Sequence, residues 1–158
     1  QAKKLGVLNT TVFFRGPVES SRVLEYVASA DIGVVPTQAC CLSYEFESSN
    51  KIFHCVMAGV PLAMSNHIEK RNLQETYGIG ALFDETNPKD IAKVIDDFVI
   101  DETQMENCAN NCLVAAKELC WENEEKRLQL AFLSINSNKQ LNTADYNTAN
   151  RKKSTKRD

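Results

Sequence analysis

Residues 48–65 read SSNKIFHCVMAGVPLAMS, and this stretch decides the predicted fold. It opens with small polar side chains suited to a helix start and reaches Gly59, a residue type that commonly ends helices. Ile52 and Val56 lie between them at helical spacing. Leu62–Met64 then reads as a short buried strand. A helix followed at once by a buried strand is typical of α/β proteins, in which ligands bind near the polar starts of helices.

The length and composition are those of an ordinary soluble domain. The chain has 158 residues, which predicts one folded domain, and it is 43% hydrophobic and 25% charged. No apolar run approaches the roughly 20 residues that a membrane span needs. No secretion signal is visible, so we expect a cytoplasmic protein. The first residue is Gln1 rather than Met, so we expect a processed chain or a piece of a longer one.

The net charge of −3 is distributed unevenly along the chain. Residues 1–135 carry −7, which argues against a protein that binds duplex nucleic acid, because such a protein needs a basic face. Residues 136–158 carry +4, are rich in Asn, Thr and Lys, and lose periodicity. We predict that they form a disordered, polar and basic tail. Its basic residues, Arg151–Lys153 among them, suit a solvated end or, alternatively, peripheral contact with anionic lipid at the inner face of the membrane.

The six cysteines are interpreted as reduced thiols that pack as small hydrophobic side chains. No metal site is predicted, because a zinc site needs four clustered ligands. The two histidines, His54 and His67, lie far in sequence from Cys108, Cys112 and Cys120.

Strands and helices alternate along residues 1–135, which predicts a partial Rossmann-like, doubly wound parallel sheet with C-terminal helices. The predicted strands are Thr11–Arg15, Ile32–Pro36, Leu62–Met64 and Ala81–Phe83. The predicted helices are Ser20–Ala30, Asn50–Ala58, His67–Tyr77, one that begins at Asn87-Pro88, Thr103–Leu119 and Glu122–Leu133. A polar loop is predicted over Thr37–Ser49.

The start of the Asn50 helix is the candidate ligand site. Its first backbone N–H groups lack helical partners, and the helix dipole makes this end partly positive, which suits a phosphate. Lys51 adds a positive charge, and the carboxylates of Glu45 and Glu47 suit hydrogen bonds from sugar hydroxyls. The alternative is structural: Ser48 and Ser49 are ordinary capping residues, and a first-turn lysine is commonly only solvated.

The segment NKIFHCVMAGVP, residues 50–61, resembles the donor-binding segment of retaining, GT-B-fold glycosyltransferases of the group 1 or family 4 type. In one branch of that family the segment reads Asn-Lys-x-Phe-Glu-Tyr-Met-Ala-Ala-Gly-x-Pro. Further similar segments follow in the family's order: VFFRGPV at 12–18, YVASADIGVVP at 26–36, and NPKDIA at 87–92 with Trp121-Glu122. The resemblance covers about residues 5–133.

The resemblance implies transfer of a sugar, with retention, from a UDP- or GDP-linked nucleotide-sugar donor to a saccharide or lipid-linked acceptor, in cell-surface polysaccharide or glycolipid synthesis. It implies no metal and no separate cofactor. By position, the resemblance implies that Ser49, Asn50 and the following backbone amides face the diphosphate, with Lys51 assisting. It also implies that Gly16 and Val18 lie near the base.

Two positions depart from the family pattern. His54 stands where the family has a Glu that binds the ribose hydroxyls, and a neutral imidazole makes fewer such contacts. Phe46 stands where the family has a second donor-facing Glu. Its neighbours Glu45 and Glu47 replace that residue only if the loop shifts by one position.

The resemblance covers only part of a GT-B enzyme, so the N-terminal acceptor domain and two donor-domain strands are expected to be missing. Catalytic residues would then lie outside this chain. In a doubly wound sheet with the strand order 3-2-1-4-5-6, Thr11–Arg15 would be strand 3 and Ile32–Pro36 strand 4, and strands 1 and 2 would lie between them. Without strands 1 and 2 both strands have open edges, so we expect a chain that is unstable, rearranged or completed by another segment. The alternatives are a truncated or inactive fragment, a non-catalytic nucleotide-sugar-binding partner, and an unrelated flavodoxin-like binding or signalling domain.

Overall fold

The computed structural model describes residues 1–135, and the chain divides into two units, Gln1–Ala116 and Lys117–Asp158. The predicted tail at 136–158 lies outside the described residues. Among the described helices, none is both long and apolar enough to cross a membrane. The elements of the first unit are a 3-10 turn at Ser20–Arg22, α1 Val23–Val27, β1 Gly33–Val35, α2 Leu42–Glu45, α3 Asn50–Ala58, β2 Leu62–Ser65, α4 Ile68–Tyr77, β3 Gly80–Phe83, α5 Pro88–Ile100 and α6 Glu102–Ala115.

The three strands form one parallel sheet in the order β1-β2-β3. Gly33 pairs with Leu62 between β1 and β2, and Leu62 pairs with Gly80 between β2 and β3. All four residues of β2 are buried, as expected for a central strand that is covered on both faces. The α/β class and the partial Rossmann-like sheet are therefore confirmed.

Local signals account for the ends of α3 and α5. Ser49 caps α3, and Gly59 ends it in the left-handed conformation with φ 70°. Asn87 caps α5 through its side chain, which accepts a hydrogen bond from the Lys89 amide, and Pro88 takes the first helical position. These boundaries agree with the predicted ones because capping depends on residues that are adjacent in sequence.

The core beside the sheet is built mainly from α5. Val94 and Phe98 on α5 pack with Ala63 of β2 and Phe83 of β3, and Cys108 of α6 completes the cluster. Phe98 and Phe83 are each 1% exposed. The helical spacing of Val94 and Phe98 therefore places one face of α5 on the sheet.

The predicted strand Thr11–Arg15 is wrong. This segment makes only an isolated bridge between Leu8 and Val12, and Phe13 and Phe14 are exposed. A strand is held by hydrogen bonds to a neighbouring strand, and within the described residues β1 pairs only with β2. Val34 of β1 is itself exposed. The segment therefore has the composition of a strand and no strand to pair with.

Three further predictions need adjustment. The helix predicted over Thr103–Leu119 is α6, which ends at Ala115. The loop predicted over Thr37–Ser49 contains the short helix α2, and the helix predicted over Ser20–Ala30 is a 3-10 turn followed by α1, which ends at Val27. The last turn of α1 is closed by Ser29, whose hydroxyl donates to the Tyr26 carbonyl at 2.7 Å.

The described part of the second unit is helical over residues 121–135. Its helix carries an apolar face on which Trp121, Leu128 and Phe132 are exposed. The prediction of a helix over Glu122–Leu133 is confirmed.

Candidate functional site

The three strands end at the same edge of the sheet because they are parallel. Two residues beyond the last residue of β1, β2 and β3 lie Thr37, His67 and Glu85, respectively. Helix α3 begins at Asn50, after the loop that leaves β1. In open parallel sheets ligands bind beyond this edge, so we describe the candidate site from these four segments.

The start of α3 is open to solvent at its polar residues. Asn50 and Lys51 are exposed, and Ser49 is half-buried. The Ser49 hydroxyl accepts a long hydrogen bond of 3.4 Å from the Lys51 amide, and the Ser49 carbonyl accepts one of 2.9 Å from the Ile52 amide. An anion at this helix start would therefore compete with the weak Ser49 hydroxyl contact for the Lys51 amide.

The inner face of α3 is apolar, and His54 lies beside it. Ile52, Cys55 and Val56 are buried, whereas His54 is half-buried one turn after Asn50. The spacing of four residues places His54 and Asn50 on the same side of the helix. The structure thus keeps Ser49, Asn50, Lys51 and His54 along one end of α3.

Beside this helix start lies a polar cluster made of Thr37, Glu47, His67, Lys70 and Glu85. The Thr37 hydroxyl donates to Glu47 Oε1 at 2.8 Å, and Lys70 Nζ lies 3.7 Å from the same oxygen. Lys70 Nζ also lies 3.4 Å from His67 Nδ1, and His67 Nε2 lies 3.2 Å from Glu85 Oε1. The cluster joins the ends of all three strands to the segment that precedes α3.

Burial controls the electrostatics of the polar cluster. Lys70 is 0% exposed, and burial lowers the pKa of its ammonium group, while the nearby Glu47 carboxylate opposes that shift. Burial by itself raises the pKa of Glu85, but His67 together with hydrogen bonds from the backbone of Glu85 and Ala39 outweighs it, so the pKa of Glu85 lies below its usual value. His67 Nε2 has no aligned hydrogen bond within residues 1–135, and the Glu85 carboxylate lies at ion-pair distance from it.

Of this cluster, sequence reasoning singled out Glu47 alone as a candidate. The structure holds Glu47 through Oε1, and its side chain stays 28% exposed. Glu45, which was considered with it, lies at the end of α2. The signal that was missed is positional: Thr37, His67 and Glu85 each follow a strand by two residues, and Lys70 lies three residues after His67 on one helix face.

Gly16 and Val18 lie in an exposed segment before α1. Val18 lines a cavity of about 500 Å³ together with Arg22 and Tyr26, among others. Gly16 is two residues away in sequence, and a side chain there would meet nothing within 4 Å. The backbone at Gly16 is therefore open to an approaching ligand.

The cysteines take three environments, and Cys120 is half-buried. Cys55, Cys108 and Cys112 are buried, and burial raises the pKa of Cys112 to about 12, so these thiols stay neutral as predicted for packing residues. Cys40 and Cys41 are exposed, which contradicts the prediction that the cysteines are buried. Across residues 1–135, no group of three or more His, Cys, Asp or Glu side chains is arranged to hold a metal ion.

No protein-family model matches this sequence, and no curated protein matches it. The fold is similar to that of sucrose-phosphate synthase from Thermosynechococcus elongatus, with a TM-score of 0.74 and 16% sequence identity. The match covers 86% of this chain and 33% of the other, so the chain spans about a third of that protein's length. The chain therefore has a glycosyltransferase-like fold.

Proposed function

We propose that this chain is the donor-binding part of a retaining glycosyltransferase and that it binds the diphosphate of a nucleotide-sugar at the start of α3. The observation that carries the proposal is the position of that helix start. Ser49, Asn50 and Lys51 lie beyond the carboxyl edge of a parallel sheet, in a glycosyltransferase-like fold. Backbone N–H groups and a positive dipole suit a diphosphate at such a place.

The proposed roles follow the exposure of each residue. The amides of the first turn and the Asn50 side chain hold the diphosphate, and the exposed Lys51 adds a charge contact. Glu47 has Oε1 engaged by Thr37 and Lys70, so Oε2 is the oxygen proposed to accept a sugar hydroxyl. His54 is proposed to contact the ribose.

The base is proposed to occupy the cavity beside α1. Val18 and Tyr26 contribute to its lining, and α1 packs against α3. An aromatic ring and an open backbone at Gly16 suit a flat base. The donor would be a UDP- or GDP-sugar and the acceptor a saccharide or lipid-linked group, as in cell-surface polysaccharide or glycolipid synthesis at the inner face of the membrane. The acceptor site would be supplied by a further domain.

Calorimetric titration of UDP and GDP into the 158-residue chain tests the proposal. We expect binding that weakens about two- to tenfold in Asn50→Ala and Lys51→Ala, as one hydrogen bond or one exposed charge contact predicts. Lys89→Ala is the matched control, because Lys89 occupies the second position of helix α5, as Lys51 does in α3, and is also exposed. Absence of UDP and GDP binding would contradict the proposal, and so would equal weakening by Lys89→Ala.

A second candidate is a non-catalytic nucleotide-sugar-binding partner or an inactive fragment. The imidazole of His54, at the position where the related family carries a ribose-binding Glu, favours it. The two candidates differ in turnover. The test incubates a UDP- or GDP-sugar and a saccharide acceptor with the longest version of the protein that can be expressed. An enzyme should release UDP or GDP. For the partner the test should give binding without release.

A further inference from the structure

Lys70 is a charged side chain with no access to solvent. It lies on α4 and is 0% exposed, and its Nζ lies 3.7 Å from Glu47 Oε1. Removal of a charge from water carries a large cost, which a single partner only partly offsets. Because Lys70 is enclosed, it does not contact a ligand. Its role must be exerted through the residues that it touches.

The residues that Lys70 touches belong to, or hold, the segment that leads into α3. Glu47 lies two residues before Ser49, the cap of that helix. Thr37, at the start of the same segment, donates to Glu47 at 2.8 Å. His67, which contacts Lys70 at 3.4 Å, also lies 3.2 Å from the carbonyl oxygen of Tyr44 in α2. The segment 37–49 is thus attached at two points, through Glu47 to Lys70 of α4 and through Tyr44 to His67, the residue before α4.

We infer that Lys70 is a positioning residue that, through Glu47 and together with His67, holds the segment 37–49 so that the first turn of α3 is ordered before a ligand arrives. The functional consequence rests on the proposed function of that helix start. An ordered first turn lets the amides of Asn50 and Lys51 meet a diphosphate without first losing backbone freedom. The ordering itself is a property of the unliganded chain.

Lys70→Met is the informative substitution, because it keeps the length of the side chain and removes the charge. Lys70→Met removes one partner of the pair, but the Glu47 carboxylate that remains is 28% exposed, so water solvates it and the large cost of an unpaired buried charge is avoided. We therefore expect a local effect. Backbone hydrogen exchange measured by mass spectrometry on peptides that cover residues 42–52 should become about tenfold faster, while α5 should keep its exchange rate. Lys70→Arg, which retains the charge, should restore most of the protection.

The second arm of the experiment measures UDP and GDP affinity by calorimetry. Lys70→Met should raise the dissociation constant about tenfold although Lys70 lies out of reach of the ligand, whereas Lys89→Met, an exposed lysine on α5, should leave it unchanged. Glu47→Gln is the second variant. UDP and GDP lack the transferred sugar that Glu47 is proposed to contact. If Lys70 acts through Glu47, the double variant should therefore bind them no more weakly than Lys70→Met alone.

The two arms separate this inference from the proposed function. Faster exchange confined to residues 42–52, in a chain that binds neither nucleotide, supports the positioning role and contradicts the proposed function. Unchanged exchange in that segment overturns the positioning role, and so does an equal increase in α5, because the effect would then be general destabilisation. If Lys70→Met does not fold, Glu47→Gln decides alone, by the same comparison between residues 42–52 and α5.

Discussion

Gly80 lies at the first position of β3, where any side chain would collide with the backbone of β2. It pairs with Leu62, and a Cβ atom at Gly80 would overlap the Leu62 carbonyl group, with the Leu62 Cα 2.9 Å away. If the new Cβ met a neighbouring side chain, that side chain could rotate away. Here it meets the backbone of β2, which is fixed by its hydrogen bonds. Gly80→Ala must therefore separate β3 from β2 at the start of their pairing.

The cost of Gly80→Ala follows from this geometry. Overpacking against side chains costs typically about 1–3 kcal/mol, so a collision with backbone should cost about 3 kcal/mol or more. With a urea m-value of about 1.5 kcal/mol per M, the unfolding midpoint should fall by about 2 M. The cost of about 3 kcal/mol is a large fraction of the free energy of unfolding of an ordinary domain, which is about 5–15 kcal/mol. Urea unfolding followed by circular dichroism measures the midpoint.

Two other glycines provide graded controls for the same substitution. A Cβ at Gly16 would meet nothing within 4 Å, so Gly16→Ala should change the free energy of unfolding by less than about 0.5 kcal/mol. Gly59 has φ 70°, and its Cβ would lie 2.8 Å from the movable end of Leu113, so Gly59→Ala should cost about 1–2 kcal/mol. A Gly80→Ala midpoint within experimental error of the Gly16→Ala midpoint would refute the reasoning.

Two further predictions concern the core and the response to acid. Phe98→Ala removes a side chain that is 1% exposed and should lower the free energy of unfolding in urea by about 3–5 kcal/mol. Phe14→Ala, at an 80% exposed position, should lower it by less than about 0.5 kcal/mol. Similar costs for the two variants would contradict the assigned core. The pKa of Glu85 is held below its usual 4.5, so its stabilisation is complete above that pH and is lost as pH falls through the lower folded value. Urea titrations from pH 7 to pH 3 should show a shallower loss of stability for Glu85→Gln than for the unaltered chain, and equal slopes would contradict the lowered pKa of Glu85.

The sequence alone predicted the features that depend on neighbouring residues. The Ser49 cap and the Gly59 end of α3 were readable because each acts on backbone groups within one helical turn. The class of fold followed from the order of such elements. The placement of Ser49, Asn50 and Lys51 beyond the carboxyl edge of the sheet followed from the general topology of parallel sheets.

Features that depend on distant residues were decided only by the tertiary structure. Thr11–Arg15 has the composition of a strand, but a strand also requires a hydrogen-bonding neighbour, and composition does not reveal whether one is present. Lysine side chains are ordinarily exposed, whereas the folded chain buries Lys70 and brings Glu47, 23 positions earlier, to 3.7 Å from its Nζ. Helix ends are local backbone chemistry and can be read along the chain, whereas strand pairing and the burial of a charge depend on partners that only the folded chain brings together.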